Sequence, residues 1–553
     1  MRSRVVVLSL LTASLLLLAC GPARRAAEGE GEAQLKAQTE RKETLQCDPG
    51  KEHWRAQGPP KRGGVVKQRN DNPVLDPTAP GGRAYYHNLI YEYLVKPRAC
   101  HFGDTQMIPD LATSWEISPD GLRWTLKIRD NVKYQNKPPL NGRPFTSADV
   151  AWTIDYLSKE SDLRSYWAGI THEEPDTHTV VLRFKEPDPD FLFKIGDERH
   201  VMLPKEVKEQ FGDFKTMAIG TGPFMLKEFR ANQYTFSERN PDYYLMGADG
   251  KPLPYLDEFH VIMFADPTAT VAALRASLIE HEHGAQVRKM DQDALKQANL
   301  KYRYYADPAA TVHGLWLNPK IAPWNDVRVR QAMSLAIDRD DLIAADGGGA
   351  VHQGFVPQVL GDVAWPLEKV KEKFKADPEQ AKRLLREAGF AQTGEFSFVT
   401  GSTYGQQIEV VAKQLENVGV KTRIQVGPGT ASGPLIRDFA SRDLAWGPPG
   451  GGRFPDYWVG DLVRTGAGRN VSQYSDPKLD ALVDAQKQEM DPAKRKAIID
   501  QIQDYLYEQM PYVPTVSRLY YGVLACHVKN MYPNHNSTNY WGFQHAWIDE
   551  AGC

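Results

Sequence analysis

The chain has 553 residues, 41 % of them apolar and 25 % charged, with a formal net charge of −3. A chain of this length exceeds one hydrophobic core and should divide into domains, while a near-neutral balance without a long basic run gives a nucleic-acid backbone little to bind. The five cysteines include no C-x-x-C pair, which argues against a thioredoxin-like site or a zinc ribbon.

The N-terminus reads as an address. Met1-Arg2-Ser3-Arg4 is a short basic region, and residues 5–18 are almost unbroken apolar sequence. As a helix that run is roughly 21 Å long, short of a comfortable bilayer span. It closes on Leu17-Leu18-Ala19-Cys20, followed by Gly21. This ending resembles the lipobox of bacterial lipoproteins, which implies a signal peptide of residues 1–19 and acylation of Cys20. Several acyl chains, at about 0.8 kcal/mol per buried CH₂, hold a domain firmly to a lipid bilayer. Residues 20–59 are rich in charge, Ala and Gly and poor in large apolar side chains, the composition of a flexible tether. No later segment reaches 18 consecutive apolar residues, the length a spanning helix needs. With Cys20 acylated, Cys47, Cys100, Cys526 and Cys553 remain. An even number in an oxidising compartment allows up to two disulfides, in three connectivities.

The ordered chain opens at Gly63-Gly64-Val65-Val66-Lys67, an apolar strand leading into a Pro-punctuated loop at Asp71-Asn72-Pro73. Residues 85–96 have the mixed apolar and aromatic character of a helix start. Around Pro119-Asp120-Gly121 the flanks alternate, with Trp124, Leu126 and Ile128 on one face, which predicts a hairpin. Thr146 and Asp149 then precede Val150, Ile154 and Leu157, the signature of a capped amphipathic helix. Strand patterns return at 178–184 and 224–229. Helical patterns follow at 267–278, 327–337, 378–388, 407–418 and 477–486, the third and fourth closing on Gly389 and Gly419, the residue type expected at a C-cap. A strand pattern at 421–426 alternates with these helices, so the second half is an α/β sheet domain.

Five stretches in order carry a resemblance. They are Gly63-Gly64 with Leu75-Asp76-Pro77; residues 109–121 running into 129–134 and 145–150; Gly220-Thr221-Gly222-Pro223-Phe224; residues 325–332 ending in Ala336-Ile337-Asp338-Arg339; and residues 381–390. Together, over about residues 63–522, they resemble the family-5 extracellular solute-binding proteins, the dipeptide and oligopeptide binding group of ABC importers. The resemblance implies an α/β, two-lobed periplasmic-binding-protein type II (Venus flytrap) fold with an extra inserted domain. By order, lobe I takes 60–85, 180–275 and 515–553, the extra domain 86–179, and lobe II 276–514. A ligand that contacts both lobes only when they close shifts the balance toward closure, and an ABC importer permease then reads the closed shape. The implied protein is an extracytoplasmic, membrane-anchored monomer that binds a small ligand, with a peptide favoured, and no nucleic acid. Most of the matching motifs are scaffold: Ala332, Leu335 and Ala336 read as helix packing, Arg328 and Arg330 as ion-pairing with Asp326 and Asp338, and Gly220–Gly222 as a tight turn lacking the Lys and spacing of a phosphate loop.

Peptide binders of this family hold the ligand as an added strand through main-chain hydrogen bonds. The resemblance places those contacts at Asn70, Asp71 and Asn72 and at Trp446 and Gly447. Such binders carry an aspartate three residues after that tryptophan, where it pairs with the ligand amine; here Pro449 stands there. Removing the partner of a buried ammonium costs several kcal/mol, so Asp456 is the candidate substitute, or Arg453 instead grips a carboxylate bidentately. His281-Glu282-His283 has metal-ligand residue types, but it follows an amphipathic helix where a solvated turn is expected. No metal and no cofactor is predicted. The alternatives are a sugar, opine, haem or metal chelate on the same scaffold, a sensor or chaperone working without an importer, and a secreted hydrolase, for which no G-x-S-x-G or H-E-x-x-H motif is present.

Overall fold

The computed structural model describes residues 57–70, 75–78, 87–98, 106–161, 164–197, 199–264, 266–282, 287–401, 404–427, 443–531 and 542–553. Cys20, Cys47, Asp71, Asn72, Cys100 and His283 lie outside them, as does the side chain of Asn70. In chain order, β1 (Val65–Asn70) is followed by a ribbon of β2 (Val95–Pro97) and β3 (Met107–Pro109). Next comes an antiparallel sheet of β4 (Ala112–Ile117), β5 (Arg123–Ile128), β6 (Thr171–Asp176) and β7 (Thr179–Arg183). The strands β8 (Phe224–Arg230), β9 (Tyr234–Arg239), β10 (Glu258–Met263), β11 (His281–Glu282) and β12 (Tyr302–Pro308) return to the sheet of β1. The chain crosses to a second sheet with β13 (Gly314–Leu317). After β14 (Ala350–His352) this sheet is completed by β15 (Phe396–Gly401), β16 (Thr422–Gly427), β17 (Leu444–Gly447) and β18 (Tyr512–Pro514). It crosses back as β19 (Val516–Ala525), against which both β12 and β14 pair, and ends in a ribbon of β20 (Val528–Lys529) and β21 (Trp547–Ile548).

Local chemistry explains most of these elements. In the β4–β5 hairpin Gly121 has φ +72°, a value an L side chain resists, and Asp120 accepts from the Leu122 amide at 3.0 Å. Trp124, Leu126 and Ile128 are all buried beneath the four-stranded sheet. The helix Ser147–Glu160 starts with a capping box in which the Thr146 amide donates to Asp149 Oδ2 at 2.9 Å. Helices Pro378–Glu387 and Gly405–Asn417 end at Gly389 (φ +66°) and Gly419 (φ +95°). Where local pattern gave way, tertiary contacts decided. Within the described part of the expected helix, residues 87–96, only His87–Ile90 is helical, because the Ile90 carbonyl accepts from the Gly222 amide (2.8 Å) and the Leu94 carbonyl from the Ala112 amide (2.9 Å).

Two large hydrophobic clusters result. One joins the first sheet to the four-stranded sheet through residues such as Val66, Tyr91, Trp124, Trp167, Phe259 and Leu524, so the inserted sheet and the first lobe share a core. Gln135 ties the same two parts by polar contacts, its Nε2 donating to the carbonyls of Ile90 (3.1 Å) and Phe224 (2.7 Å). The other cluster fills the second lobe around Trp316, Trp324, Trp365, Trp446 and Trp458. Sheet membership puts 281–282 and 302–308 in the first lobe, while packing makes the chain from Ala273 onward continuous with the second core. The boundary drawn at 276 thus falls in a segment that serves both, and the one drawn at 179 cuts β7. Residues 180–183 complete the four-stranded sheet and Phe191 packs on Trp124 and Trp167, so the inserted domain includes residues 180–197. Cys526 and Cys553 are disulfide-bonded across 27 residues with Cα atoms 5.4 Å apart, and closing a loop of that size stabilises a fold by about 3–4 kcal/mol.

Three sequence expectations change. His281 and Glu282 are not a solvated turn; both are buried in β11, with His281 Nε2 2.8 Å from the Tyr305 hydroxyl and Glu282 3.7 Å from Arg69. Arg330 does not pair with an aspartate: it is buried and donates to the carbonyls of Trp324, Gln509 and Met510, whereas Arg328 does pair with Asp326 at 2.6 Å. Gly220 and Gly222 are glycines because the backbone of Ile90 comes too near. A Cβ on Gly220 would meet the Ile90 carbonyl oxygen at 2.2 Å.

Candidate functional site

In open α/β sheets, ligands bind outside the carboxyl ends of parallel strands. In the first sheet β1, β10 and β11 run parallel and end at Asn70, Met263 and Glu282. In the second, β15, β16 and β17 run parallel and end at Gly401, Gly427 and Gly447. The two edges are linked by the crossing segments. Gly314 pairs with both Gly447 and Pro514, and Thr515 and His313 are knitted together by amide–carbonyl (2.9 Å) and hydroxyl–carbonyl (2.7 Å) bonds. Asn70 and Gly447 therefore stand at the carboxyl ends of parallel strands, one in each lobe.

The wall on the second lobe is apolar and aromatic. His313 sits 4.8 Å edge-on to Tyr404 and 6.5 Å from Trp446, with Nδ1 2.8 Å from Gln407 Oε1. Burial drives its imidazole down to about 3, with the Arg518 charge adding to the effect, so it is neutral at working pH. Trp446 is 0 % exposed and belongs to the second core. Its carbonyl accepts from Thr400 Oγ1 at 3.0 Å, and the next carbonyl, of Gly447, accepts from the Trp316 indole at 2.8 Å. The aromatic side chains here position the backbone.

The loop after Gly447 owes its glycines to close approach. Gly447 and Gly450 have φ +136° and +134°, and a Cβ on Gly451 would lie 2.8 Å from the Ala310 carbonyl of the crossing segment. Held in that way, the loop carries Arg453 and Asp456 toward the inserted domain. Half-buried Arg453 lies close enough to Asp197 to join Arg199 in holding that carboxyl below its ordinary value against the effect of burial. The Asp456 amide donates to Asp190 Oδ2 at 3.0 Å, and its carboxylate accepts from Gln486 Nε2 at 2.6 Å and faces Lys487 Nζ at 3.3 Å. These partners engage Asp456 on the side of Asp190, a feature hidden from sequence because Asp190, Gln486 and Lys487 are distant in the chain.

Burial pushes the Asp456 carboxyl up to about 6; Asp190 and Asp461 add repulsion, against the pull of Lys487 and Lys194. A folded-state value above the unfolded one means that the native state holds the extra proton. The contribution of Asp456 to stability is therefore largest below about 4 and falls until the group is ionised above about 6. Asp456→Asn should flatten this decline and gain on the order of 2 kcal/mol near pH 7, as read from urea unfolding at pH 4, 5, 6 and 7.

A cavity of about 240 Å³ lies elsewhere, where the first lobe meets the inserted sheet, lined by Glu92, Lys96, Asp110, Arg129, Tyr244 and His545 among others. Its carboxylates are engaged: Tyr243 donates to Glu92, while Tyr244 and Lys96 each donate to Asp110 at 3.0 Å. Burial, then the neighbouring Asp110, raises Glu92 well above the carboxylate range. The arrangement reads as a structural polar hub away from the strand ends.

Comparisons with known proteins agree with this geometry. The model of bacterial extracellular solute-binding proteins, family 5 (middle region), matches residues 106–458. A protein of Brucella ovis, provisionally named an ABC transporter peptide-binding protein, is 27 % identical over 452 residues, covering 77 % of this chain and 81 % of its own. Heme-binding protein A of Haemophilus influenzae is 24 % identical over 486 residues, covering 80 % and 84 %. Among solved structures, the periplasmic binding protein DppA of Helicobacter pylori in complex with the peptide STSA superposes with a TM-score of 0.70 at 22 % identity, covering 89 % of this chain and 99 % of that one. The two-lobed α/β architecture is thus the type II periplasmic-binding-protein fold, and the chain belongs to the bacterial extracellular solute-binding proteins of family 5.

Proposed function

We propose that this protein captures a short peptide between the carboxyl edges of its two sheets and delivers it to an ABC importer from the outer face of the membrane. The observation that carries the reading is that each lobe has a parallel sheet whose strands end at Asn70 and at Gly447, with two crossing segments linking the sheets. Both strands are paired on either side, so it is the main chain of the loops leaving them that would bond an extended ligand whatever its side chains. The peptide-binding names of the Brucella and Helicobacter proteins support this ligand class. The lobes act by binding and closing, without a chemical step. Asp71, Asn72 and Gly447 are the proposed main-chain contacts; Trp446 acts through Gly447, and Arg453 and Asp456 border the site from the inserted-domain side. Acylated Cys20 holds the protein, as a monomer, on the membrane.

The test is native mass spectrometry of the chain expressed into a periplasm, before and after mild denaturation and refolding. A heterogeneous set of peptide-mass adducts, lost on refolding and restored by a defined tetrapeptide, is the expected result. A single sharp non-peptide mass would overturn the peptide reading. The haem-binding relative motivates that second outcome.

A further inference from the structure

The inserted domain and the second lobe meet around a buried ion pair, flanked by Tyr166 and Phe193, which also pack against the second core. Asp190 precedes the short helix Phe191–Ile195, whose Phe191 packs on Trp124 (5.3 Å) and Trp167 (5.7 Å) in the first body's core. Arg495 lies in the helix Pro492–Gln509, whose Ile499, Ile502 and Leu506 belong to the second core. Between these separate cores Arg495 donates bidentately to Asp190, Nη1 to Oδ1 at 2.6 Å and Nη2 to Oδ2 at 2.7 Å. Buried Gln486 accepts from Arg495 Nη2 at 2.9 Å and donates to Asp456, whose amide closes the ring onto Asp190. Around it, Lys194 lies 5.6 Å over the Phe454 ring and Tyr166 stands edge-on to Phe454 at 6.1 Å.

The chemistry of this contact suits reversible separation. Parting two apolar cores exposes surface at about 25 cal/mol per Å², whereas parting a buried ion pair returns both charges to water and refunds their desolvation. The chain passes between the two sheets at residues 309–313 and at Thr515, and crossing segments of this kind permit hinge motion. We propose that Asp190 of the inserted domain and Arg495 of the second lobe form a clasp that closes and opens with the lobes, so that the inserted domain sets how far the protein closes before any ligand arrives. The inference rests on the reading of the lobes as closing round a solute. It makes Asp190 and Arg495 positioning residues for capture: apparent affinity scales with the fraction already closed.

The test uses ligand-stripped full-length protein, so it does not depend on knowing the solute. Small-angle scattering reads compactness, and hydrogen exchange reads the Asp456 amide. Asp190→Asn keeps an acceptor oxygen but leaves Arg495 unpaired on closure. It should expand the particle and cut protection of that amide at least tenfold while the melting temperature stays high. Arg495→Gln should do the same, and Arg495→Lys, with one charge but no fork, should fall between. The double variant Asp190→Asn/Arg495→Gln removes both charges and should regain much of the compactness. Unchanged scattering and protection in the single variants, or protection lost only together with global unfolding, would make the pair a static weld and overturn the proposal. Expansion on substitution without any response to peptide, haem or metal-chelate panels would keep the clasp and sink the capture reading instead.

Discussion

Trp446→Ala should lower the stability of the second lobe by about 3–5 kcal/mol, the cost of emptying a large buried aromatic site. The side chain is fully enclosed, with His313 edge-on to it and the 444–447 strand paired on both sides by β13 and β15. Solute retention should fall as well, because the strand that ends at Gly447 loses its anchor. Trp446→Phe, which keeps most of the apolar volume, should recover much of both. Urea unfolding alongside native mass spectrometry checks this. Loss of solute with unchanged stability would instead place the indole on the ligand.

Gly222→Ala should be comparably damaging for a different reason. A Cβ there would lie 2.6 Å from the Ile90 carbonyl carbon and 2.7 Å from its oxygen. Backbone cannot rotate away as a side chain end can, so the cost should reach about 3 kcal/mol, the upper end of overpacking effects. The site also lies at the join of the first lobe and the inserted domain. The Gly222 amide donates to Ile90, and the carbonyls of Ile90, Gly222 and Phe224 all face the Gln135 amide. Both parts should therefore loosen together, visible as a single unfolding transition shifted to lower denaturant; two separated transitions would contradict a shared core. A lower melting temperature without change in exchange at Ile90 and Gly222 would place the damage elsewhere.

Much of the fold is legible locally because its signals act over a few residues. The β4–β5 turn needs a Gly at φ > 0, the helix after Thr146 needs an acceptor three residues on, and the helices before Gly389 and Gly419 need a residue free to turn left-handed. Each requirement is met by residues adjacent in sequence, so hairpin and helices form where alternation and capping place them. The order of the matching motifs was enough for the family, which the match over residues 106–458 supports.

The site was less legible, because its parts meet only after the chain has folded. The glycine-rich stretches at 220–222 and 450–452 look like turn chemistry in sequence, yet at Gly220, Gly222 and Gly451 the reason is a neighbouring backbone, that of Ile90 or Ala310. His281 and Glu282 look like a polar turn, but become a buried strand because β1 and β19 flank them and Tyr305 and Arg69 supply partners. The direction of Arg453 and Asp456 was beyond sequence for the same reason. The sequence by itself determined the two-lobed family scaffold, since local propensity and motif order suffice for that. Only the tertiary structure decided that Asp456 faces Asp190, Gln486 and Lys487, and that the inserted domain meets the second lobe through a buried ion pair 305 residues apart. Long-range electrostatic partners leave no local trace, because what selects them is desolvation in the folded state.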